Sequence, residues 1–283
     1  MKARAPGSTS NIGPGYDVLG LALDLYVEVD VEPAATLTIA ASGEGSDLPL
    51  DHSHLAATVC RAVLGHDSVA IRIWSEIPVG RGLGSSAALA AATAAAAGAH
   101  DPLATAAVID GHAENAAASV LGGLVAASMV GGVATARRLP LDPALAFVAV
   151  VPDRQLLTRT ARSVLPATVS LADAVHNLGR LGLLLAGLGD GRGLIAAAGE
   201  DRLHQPYRTP LWPESTDLME SLLEAGAAIA CWSGAGSTIL AICTASEAVP
   251  VVAAAGERAL QDLDVPGRVL RLRADLAGLA VTG

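Results

Sequence analysis

Aromatic residues and lysine are scarce in this chain of 283 residues. Aromatic side chains make up 2% of the sequence, and Lys2 is its one lysine. So few rings argue against a surface that binds bases or sugars by stacking. A single lysine at position 2 excludes the phosphate loop G-x-x-x-x-G-K-[ST] and protein kinases that need a lysine on a strand. The 18 basic and 28 acidic residues give a net charge of −10, the wrong sign for nucleic-acid binding over a broad surface.

Long apolar runs and cysteine patterns are missing as well. Glycine, proline or charge interrupts the apolar stretches before about 18 residues, so we expect no membrane span. Cys60, Cys231 and Cys243 are odd in number and lack metal-ligand spacing. Residues 1–10 lack the apolar core of a secretory signal, so the expected compartment is the cytoplasm. Hydrophobic residues at 52% and charged residues at 16% predict a folded chain rather than a disordered one.

Hydrophobic periodicity predicts two successive units of mixed helices and strands. Residues 22–41 hold two alternating segments around Pro33, which predict an antiparallel hairpin. The segment 86–97 holds nine alanines in twelve residues, the composition with the highest helix propensity. The other predicted elements are helices at 53–64, 102–118, 171–188, 215–225 and 246–255, and strands at 69–74, 121–129, 147–152, 228–231, 237–243 and 268–272. We place the boundary near Pro152, which gives domains at 1–152 and 153–283.

The segment PVGRGLGSSAA, residues 78–88, lies between a predicted strand and the alanine-rich helix. Its glycines allow positive φ and close backbone approach, while Ser85 and Ser86 can cap the helix or bind an anion. Exposed amides at the N-terminus of a helix attract phosphate. The residues alone leave two interpretations open. One is a phosphate-binding loop, in which the backbone, Arg81 and a metal neutralise the negative charge of the ligand. The other is a plain glycine loop with a serine cap.

Five segments together resemble the GHMP small-molecule kinases, a family named for galactokinase, homoserine kinase, mevalonate kinase and phosphomevalonate kinase. Residues 78–88 resemble the phosphate-binding motif of this family, and residues 232–243 (WSGAGSTILAIC) resemble its C-terminal glycine motif. Three further segments resemble the homoserine kinase branch of the family. They are residues 5–23 (APGSTSNIGPGYDVLGLAL), 160–177 (TARSVLPATVSLADAVHN) and 200–213 (EDRLHQPYRTPLWP). The resemblance spans nearly the whole chain.

This resemblance implies an α+β fold of two domains with the site in the cleft between them. The N-terminal, ATP-binding domain would be similar to ribosomal S5 domain 2, and the C-terminal domain would be ferredoxin-like. The implied reaction transfers the γ-phosphoryl group of ATP to the hydroxyl of L-homoserine in threonine biosynthesis, with Mg²⁺ as the metal. Such transfer depends on positioning and charge neutralisation, which a loop and Mg²⁺ can supply without lysine. The oligomeric state stays open, with a homodimer as one candidate.

The resemblance also implies roles for individual residues. Arg162 and Arg208 would bind the substrate carboxylate, which suits the forked donors of arginine. Asn11 and Asp17 would bind the hydroxyl and the ammonium, although both residue types are also common in turns for local reasons. Residues 234–236 are expected to form a tight turn beside the nucleotide loop. The implied nucleotide site is Pro78, Gly80, Arg81, Gly82, Leu83, Gly84, Ser85, Ser86 and Ala87; the implied catalytic residues are Ser86, Asp110 and Asn115; the implied metal ligands are Ser86 and Asp110; the implied substrate site is Asn11, Asp17, His112, Arg162, Arg208 and Gly234.

The sequence departs from the family pattern at two acidic positions. Asp110 stands where the family usually has Glu before Gly-His, and GHAEN at 111–115 replaces a pattern closer to His-Pro-Asp-Asn. We favour His112 as a substrate contact and Asn115 as the residue that orients the hydroxyl, whose proton would pass to a phosphate oxygen. Glu114 as an unusual base is the alternative. A kinase of the same family for another small alcohol, and a nucleotide-binding regulator without turnover, also stay open. We expect structural roles for His176, Asn177, His204 and Gln205.

Overall fold

A computed structural model describes residues 1–282 of the chain. Within that range, no helix is both long enough and apolar enough to cross a membrane. The strands are β1 (Lys2–Asn11), β2 (Gly15–Pro33), β3 (Thr38–Gly43), β4 (Val69–Ser75), β5 (Leu124–Val130), β6 (Val133–Arg138), β7 (Ala146–Pro152), β8 (Ile229–Trp232), β9 (Ile239–Cys243), β10 (Gly267–Leu272) and β11 (Ala280–Thr282). The α-helices are α1 (Leu55–Leu64), α2 (Ser85–Ala96), α3 (Pro102–Asp110), α4 (Ala113–Leu121), α5 (Thr158–Ser163), α6 (Leu171–Asp190), α7 (Gln205–Arg208), α8 (Ser215–Glu224) and α9 (Val249–Asp262).

The first sheet is built mainly from the N-terminal half of the chain. Its strand order is β11-β1-β2-β4-β3, and β5 and β6 extend it beside β2. Helix α2 packs against β1 and β2 and is surrounded by α1, α3 and α4. Eight of its twelve residues are alanine and nine are buried, because small side chains let neighbouring elements approach the helix closely from several sides. This packing fixes the N-terminus of α2 directly after the glycine loop.

Two predictions for this half of the chain are wrong. Strands β2 and β3 do not form a hairpin, since β4 lies between them, antiparallel to β2 and parallel to β3. Alternation identifies a strand but not its partner, and α1 provides the long connection that the parallel pair β3–β4 needs. The helix expected at 102–118 is divided into α3 and α4, because Gly111 adopts a φ of 81° and ends α3.

Three strands, β1, β6 and β11, are missing from the sequence predictions. In β1, the polar residues Ser8, Thr9 and Ser10 are all buried, so the strand lacks the alternation of apolar and polar residues on which strand prediction depends. The other predicted helices and strands are present with shifted ends. The shift is large at α9, which continues to Asp262.

The second sheet confirms the expected ferredoxin-like arrangement and, with it, the α+β class. Its four strands have the order β10-β7-β9-β8 and are all antiparallel. Helices α8 and α9 pack against this sheet, α8 on β8 and β9 and α9 on β7 and β10. Along the chain, these elements therefore follow the order strand, helix, strand, strand, helix, strand, in which the unit strand–helix–strand occurs twice. Trp212, Trp232 and Phe147 are the large aromatic side chains that this region buries fully.

The division of the chain into residues 1–152 and 153–283 stays a prediction. Strand β7, which ends at Pro152, pairs with β9 and β10 in the second sheet. Strand β11 at the other end of the chain pairs with β1 in the first sheet. We therefore propose that the second unit begins before Ala146 and that the last strand belongs to the first unit.

Gly20 in β2 provides a test of the contact between the first sheet and α4. A Cβ at Gly20 would lie 2.3 Å from the carbonyl oxygen of Glu114 and 3.2 Å from the Cβ of Ala118. Gly20→Ala must therefore displace α4, and we expect the free energy of unfolding to fall by about 1 to 3 kcal/mol, the range for overpacked cores. Urea unfolding followed by circular dichroism measures this change.

Gly179 in α6 is the matched control for Gly20. A Cβ at Gly179 meets nothing within 4 Å, so Gly179→Ala should raise the free energy of unfolding by roughly 0.5 to 1 kcal/mol through helix propensity. Equal stability of Gly20→Ala and the unmodified protein would contradict the close contact with α4.

Candidate active site

A cavity of about 560 Å³ opens where the glycine loop, the turn between β1 and β2 and the C-terminal half of the chain meet. The residues predicted for the site line this cavity, with the exception of Arg81. They are Asn11, Asp17, Pro78, Gly80, Gly82, Leu83, Gly84, Ser85, Ser86, Ala87, Asp110, His112, Asn115, Arg162, Arg208 and Gly234. Residues from distant parts of the sequence thus share one concave surface.

The glycine loop before α2 has the backbone that an anion site needs. Gly80, Gly82 and Gly84 adopt φ values of 69°, 77° and 66°, in the left-handed region that favours glycine. Gly84 is the N-cap of α2, and a Cβ there would lie 2.1 Å from Ser8 Oγ. The first amides of α2 and the positive end of its dipole therefore face the cavity without a side-chain cap.

The predicted neighbour of this loop, the turn at residues 234–236, packs directly against it. Ser233 Oγ donates a hydrogen bond to the carbonyl of Gly82 at 2.7 Å, and the amide of Thr238 donates to the carbonyl of Arg81 at 3.2 Å. A Cβ at Gly82 would lie 2.1 Å from the carbonyl oxygen of Ser233. The two glycine motifs therefore meet backbone to backbone, which joins the two halves of the cavity.

Arg81 does not line the cavity, although the sequence predicts that it helps to neutralise the charge of the ligand. Its Nε donates to the carbonyl of Pro152 at 2.8 Å, and its Nη1 and Nη2 donate to the carbonyls of Val79 and Asp153 at 2.7 Å and 2.6 Å. The guanidinium is thereby engaged with three backbone oxygens. It ties the loop to the end of β7, and a direct phosphate contact from Arg81 stays a prediction.

Ser86 and Asp110 form the acidic end of the site. Ser86, in the first turn of α2, donates a hydrogen bond from Oγ to Asp110 Oδ1 at the last residue of α3. The ring of His112 lies 3.1 Å from the other carboxylate oxygen, and this hydrogen bond raises the pKa of His112 above its ordinary value. A hydroxyl and a carboxylate side by side are oxygen donors of the kind that Mg²⁺ prefers.

Asn115 lies in the first turn of α4 and is held on three sides. Its Oδ1 accepts from Ser8 Oγ at 3.0 Å, and its Nδ2 donates to Ser10 Oγ and to Glu114 Oε1 at 3.1 Å each. Glu114 is 3% exposed, and burial raises the pKa of its carboxyl. Ser8 and Ser10 project from one face of β1 because they are two residues apart, a spacing already visible in the sequence.

The turn between β1 and β2 holds Asn11 and Asp17 in the left-handed region, with φ values of 71° and 53°. Asn11 Oδ1 accepts from the amide of Asp17 at 3.0 Å, and its Nδ2 donates to the carbonyl of Gly234 at 2.7 Å. Arg162 Nη2 and Nη1 donate to the two carboxylate oxygens of Asp17 at 2.8 Å and 3.0 Å. A carboxylate and a guanidinium thus stand opposite each other at one end of the cavity.

Arg208 is buried on the cavity wall and is not paired with an acid. Only 2% of the residue is exposed, its Nη1 donates to the carbonyl of Gly234 at 2.8 Å, and its buried Nε has no hydrogen-bond partner within residues 1–282. The ion pairs found over these residues do not include Arg208. Burying an uncompensated charge is costly, so the site is suited to an anionic ligand that pairs with this guanidinium.

His204 fixes Arg208 in place. Burial lowers the pKa of His204 to about 4, so its ring is neutral at physiological pH. Nε2 donates to the carbonyl of Gly13 at 2.7 Å, which leaves Nδ1 to accept from Arg208 Nη1 at 3.1 Å. Asp201 in turn accepts the amide hydrogens of Leu203, His204 and Gln205. The structural role expected for His204 therefore extends to the arrangement of the cavity wall.

The chain matches the N-terminal domain of the GHMP kinases over residues 51–132 and their C-terminal domain over residues 171–260. A homoserine kinase from Moorella thermoacetica is 40% identical to it, with 85% of this chain and 86% of that protein covered. The chain belongs to the GHMP kinase family.

Two further proteins extend this similarity over both sheets of the GHMP kinase. A homoserine kinase from Streptomyces coelicolor is 42% identical, with 90% of this chain and 88% of that protein covered. The crystal structure of a homoserine kinase from Cytophaga hutchinsonii has a TM-score of 0.87 and 27% identity, and the match covers 100% of this chain and 97% of that one. The fold is thus shared from end to end.

The apolar end of the cavity in this GHMP kinase was not expected from the sequence. It is lined by apolar side chains from β2, β3, β4, the loop before α1, α1 and α2. These residues are Val27, Ala41, Leu48, Pro49, Leu55, Ile73 and Leu89. An apolar residue that lines a cavity follows the same sequence pattern as one in the core. The loop before α1 carries a visible signal, since its large apolar residues Leu48 and Leu50 stay 40% and 43% exposed among mostly polar neighbours.

Glu114 should make the stability of this GHMP kinase depend on pH. Burial raises the pKa of its carboxyl above the ordinary value of 4.5, so the folded state retains the proton that the unfolded state has lost. Wild-type stability should therefore fall as pH rises from about 4.5 through the raised pKa, while Glu114→Gln escapes this loss. The Tm of Glu114→Gln minus that of wild type should be near zero at pH 4 and positive at pH 8.

Glu224, at the C-terminal end of α8, provides the control for this comparison. It is an exposed residue, so the Tm difference between Glu224→Gln and wild type should stay nearly constant between the two pH values. A difference for Glu114→Gln that shrank as pH rose would contradict the raised pKa.

Proposed function

We propose that this GHMP kinase phosphorylates the side-chain hydroxyl of L-homoserine with ATP and releases O-phospho-L-homoserine and ADP. The observation that carries the proposal is the buried and unpaired guanidinium of Arg208 on the wall of a cavity that also contains the glycine loop. A charged donor fork in that position matches a substrate carboxylate. The relatives from Moorella thermoacetica and Streptomyces coelicolor, both homoserine kinases, support the same substrate.

The charges around the cavity match the three functional groups of homoserine. Arg162 and Arg208 bind the carboxylate, and the carboxylate of Asp17 binds the ammonium. Asn115, held by Ser8 and Ser10, orients the hydroxyl toward the N-terminus of α2. His112, whose ring is hydrogen-bonded to Asp110, contacts the substrate on the side of the cavity where Asp110 lies.

The phosphates of ATP bind to the amides of the glycine loop and the first turn of α2, where backbone donors and the helix dipole replace the absent lysine. The apolar end of the cavity takes the adenine ring. Ser86 and Asp110 would hold Mg²⁺, which would supply charge neutralisation at the phosphates. Residues 1–282 contain no cluster of three or more His, Cys, Asp and Glu side chains suited to a metal, which fits a cation that relies on phosphate and water oxygens.

The proton of the substrate hydroxyl passes to a phosphate oxygen in this proposal. Phosphoryl transfer needs little covalent help from the protein, so positioning of the hydroxyl is the main requirement. Glu114 is the alternative base, because burial raises its pKa and its carboxylate lies beside Asn115. The cytoplasmic location stays a prediction, and the homodimer stays one candidate for the oligomeric state.

An ADP-release assay with a panel of alcohols tests the proposed function. The unmodified protein should give its highest kcat/KM with L-homoserine when compared with L-threonine, L-serine and mevalonate, and turnover should stop when EDTA removes Mg²⁺. Preference for mevalonate would assign the protein to another GHMP kinase activity. Binding of ATP in calorimetry without turnover of any alcohol would favour the nucleotide-binding regulator.

Arg208 variants test the carboxylate site. Arg208→Ala should raise the KM for homoserine by about a hundredfold, since it removes one partner of a buried charge pair, and should leave the KM for ATP within about twofold. Arg208→Lys keeps the charge but lacks the fork, so its effect should be intermediate. Steady-state kinetics with each substrate varied in turn measures both constants.

Arg202→Ala is the matched control, because Arg202 precedes the same short helix but pairs with Asp173 at the surface. It should leave both KM values unchanged. An equal rise in KM for ATP and homoserine in Arg208→Ala would remove Arg208 from the substrate site.

A further inference from the structure

Tyr16, the second residue of β2, lies behind the two arginines that face the cavity. The guanidinium carbon of Arg208 is 5.4 Å from the centre of its ring, and that of Arg162 is 5.8 Å away. Arg162 Nη1 also donates to the Tyr16 hydroxyl at 3.1 Å, and the ring stacks on His204 with 5.2 Å between centroids. Both arginines line the cavity, whereas Tyr16 is not among its lining residues.

Arg162 and Arg208 repel each other, so an interaction that offsets this repulsion is needed to keep both side chains at the cavity. Burial lowers the pKa of Arg208, and repulsion from Arg162 lowers it further, so the two positive charges destabilise each other. The face of an aromatic ring attracts cations. A single ring within reach of both guanidinium groups therefore offsets part of their repulsion.

Tyr16 is also the residue whose side chain contacts both arginines directly. Arg162 is hydrogen-bonded to Asp17 and Tyr16, while Arg208 is hydrogen-bonded to His204 and Gly234. The two sets share no hydrogen-bond partner; Asn11 connects Asp17 to Gly234, and the ring of Tyr16 lies against both guanidinium groups. When the ammonium of a substrate engages Asp17, Arg162 loses part of its support, and the contact with Tyr16 remains.

We propose that Tyr16 is a positioning residue that holds Arg162 and Arg208 in the relative placement at which one substrate carboxylate can engage both. This inference rests on the proposed function, in which the two arginines bind the carboxylate of homoserine. Tyr16 acts through the arginines and touches no reacting group. Its ring sets the distance between the two guanidinium groups, and its hydroxyl adds a smaller contribution through Arg162.

Kinetics of Tyr16→Leu and Tyr16→Phe test this role. Tyr16→Leu removes the ring and should raise the KM for homoserine about tenfold, the size expected when two cation–π contacts are lost, with the KM for ATP within about twofold. Tyr16→Phe keeps the ring, and its KM for homoserine should stay within about threefold of wild type. Thermal unfolding establishes that each variant is folded, and Tyr16→Met replaces Tyr16→Leu if the latter shows no unfolding transition.

A second substrate separates positioning from general damage to the site. The isomer 3-amino-1-propanol, called aminopropanol below, keeps the hydroxyl and ammonium of homoserine but lacks the carboxylate, so it has no group for the two arginines to bind. Its kcat/KM, though low, should be nearly the same in Tyr16→Leu and wild type. The preference for homoserine over aminopropanol should therefore fall about tenfold in Tyr16→Leu.

Tyr26→Leu is the matched control, because Arg4 lies 4.4 Å from the centre of the Tyr26 ring and this pair is outside the cavity. It should leave both KM values unchanged. An unchanged KM for homoserine in folded Tyr16→Leu, or an equal loss with homoserine and aminopropanol, would overturn the inference. Failure of the unmodified protein to phosphorylate homoserine would instead overturn the proposed function, which the wild-type assay reveals by itself.

Discussion

The site depends on the contact between its two glycine motifs, in which the carbonyl of Gly82 accepts a hydrogen bond from the side-chain hydroxyl of Ser233. Position 82 cannot carry a larger residue, since a Cβ there would lie 2.1 Å from the carbonyl oxygen of Ser233. This contact joins the loop that precedes α2 to the turn between β8 and β9. The glycine loop follows β4 of the first sheet, and the turn joins β8 to β9 of the second sheet, so the two halves of the cavity are fixed relative to each other where these two segments touch.

Under the proposed function, backbone groups bind the phosphates in place of the charged side chains that other phosphate sites use. The chain has one lysine, and the guanidinium of Arg81 is engaged with three carbonyls. The amides of the loop and the dipole of α2 remain as donors, and they are effective because they are fixed in place before any ligand arrives. The alanines of α2 also help to fix these amides in place, because they let the helix pack closely against its neighbours.

Local composition predicts local structure in this protein, and long-range pairing is what it misses. The alanines of 86–97 predict α2, and the glycines of 78–88 predict a loop that can approach an anion. The position of β4 between β2 and β3 and the burial of Ser8 and Ser10 in β1 depend on contacts that no single segment encodes. The motif resemblance supplied the residues around the cavity, but it could not reveal that Arg81 supports the loop or that Tyr16 contacts both arginines.

Under the proposed function, the pair formed by Asp17 and Arg162 gives the site a reason to prefer a zwitterion. In the described structure these two groups satisfy each other, so the carboxylate of Asp17 is not left unpaired in the cavity. A ligand with a carboxylate but no ammonium would take Arg162 from Asp17 and leave a carboxylate without a partner, which costs free energy. An α-amino acid replaces both halves of the pair at once. The site therefore discriminates against ligands without an ammonium because they would leave the carboxylate of Asp17 unpaired. This discrimination acts at the end of the substrate opposite the hydroxyl that reacts.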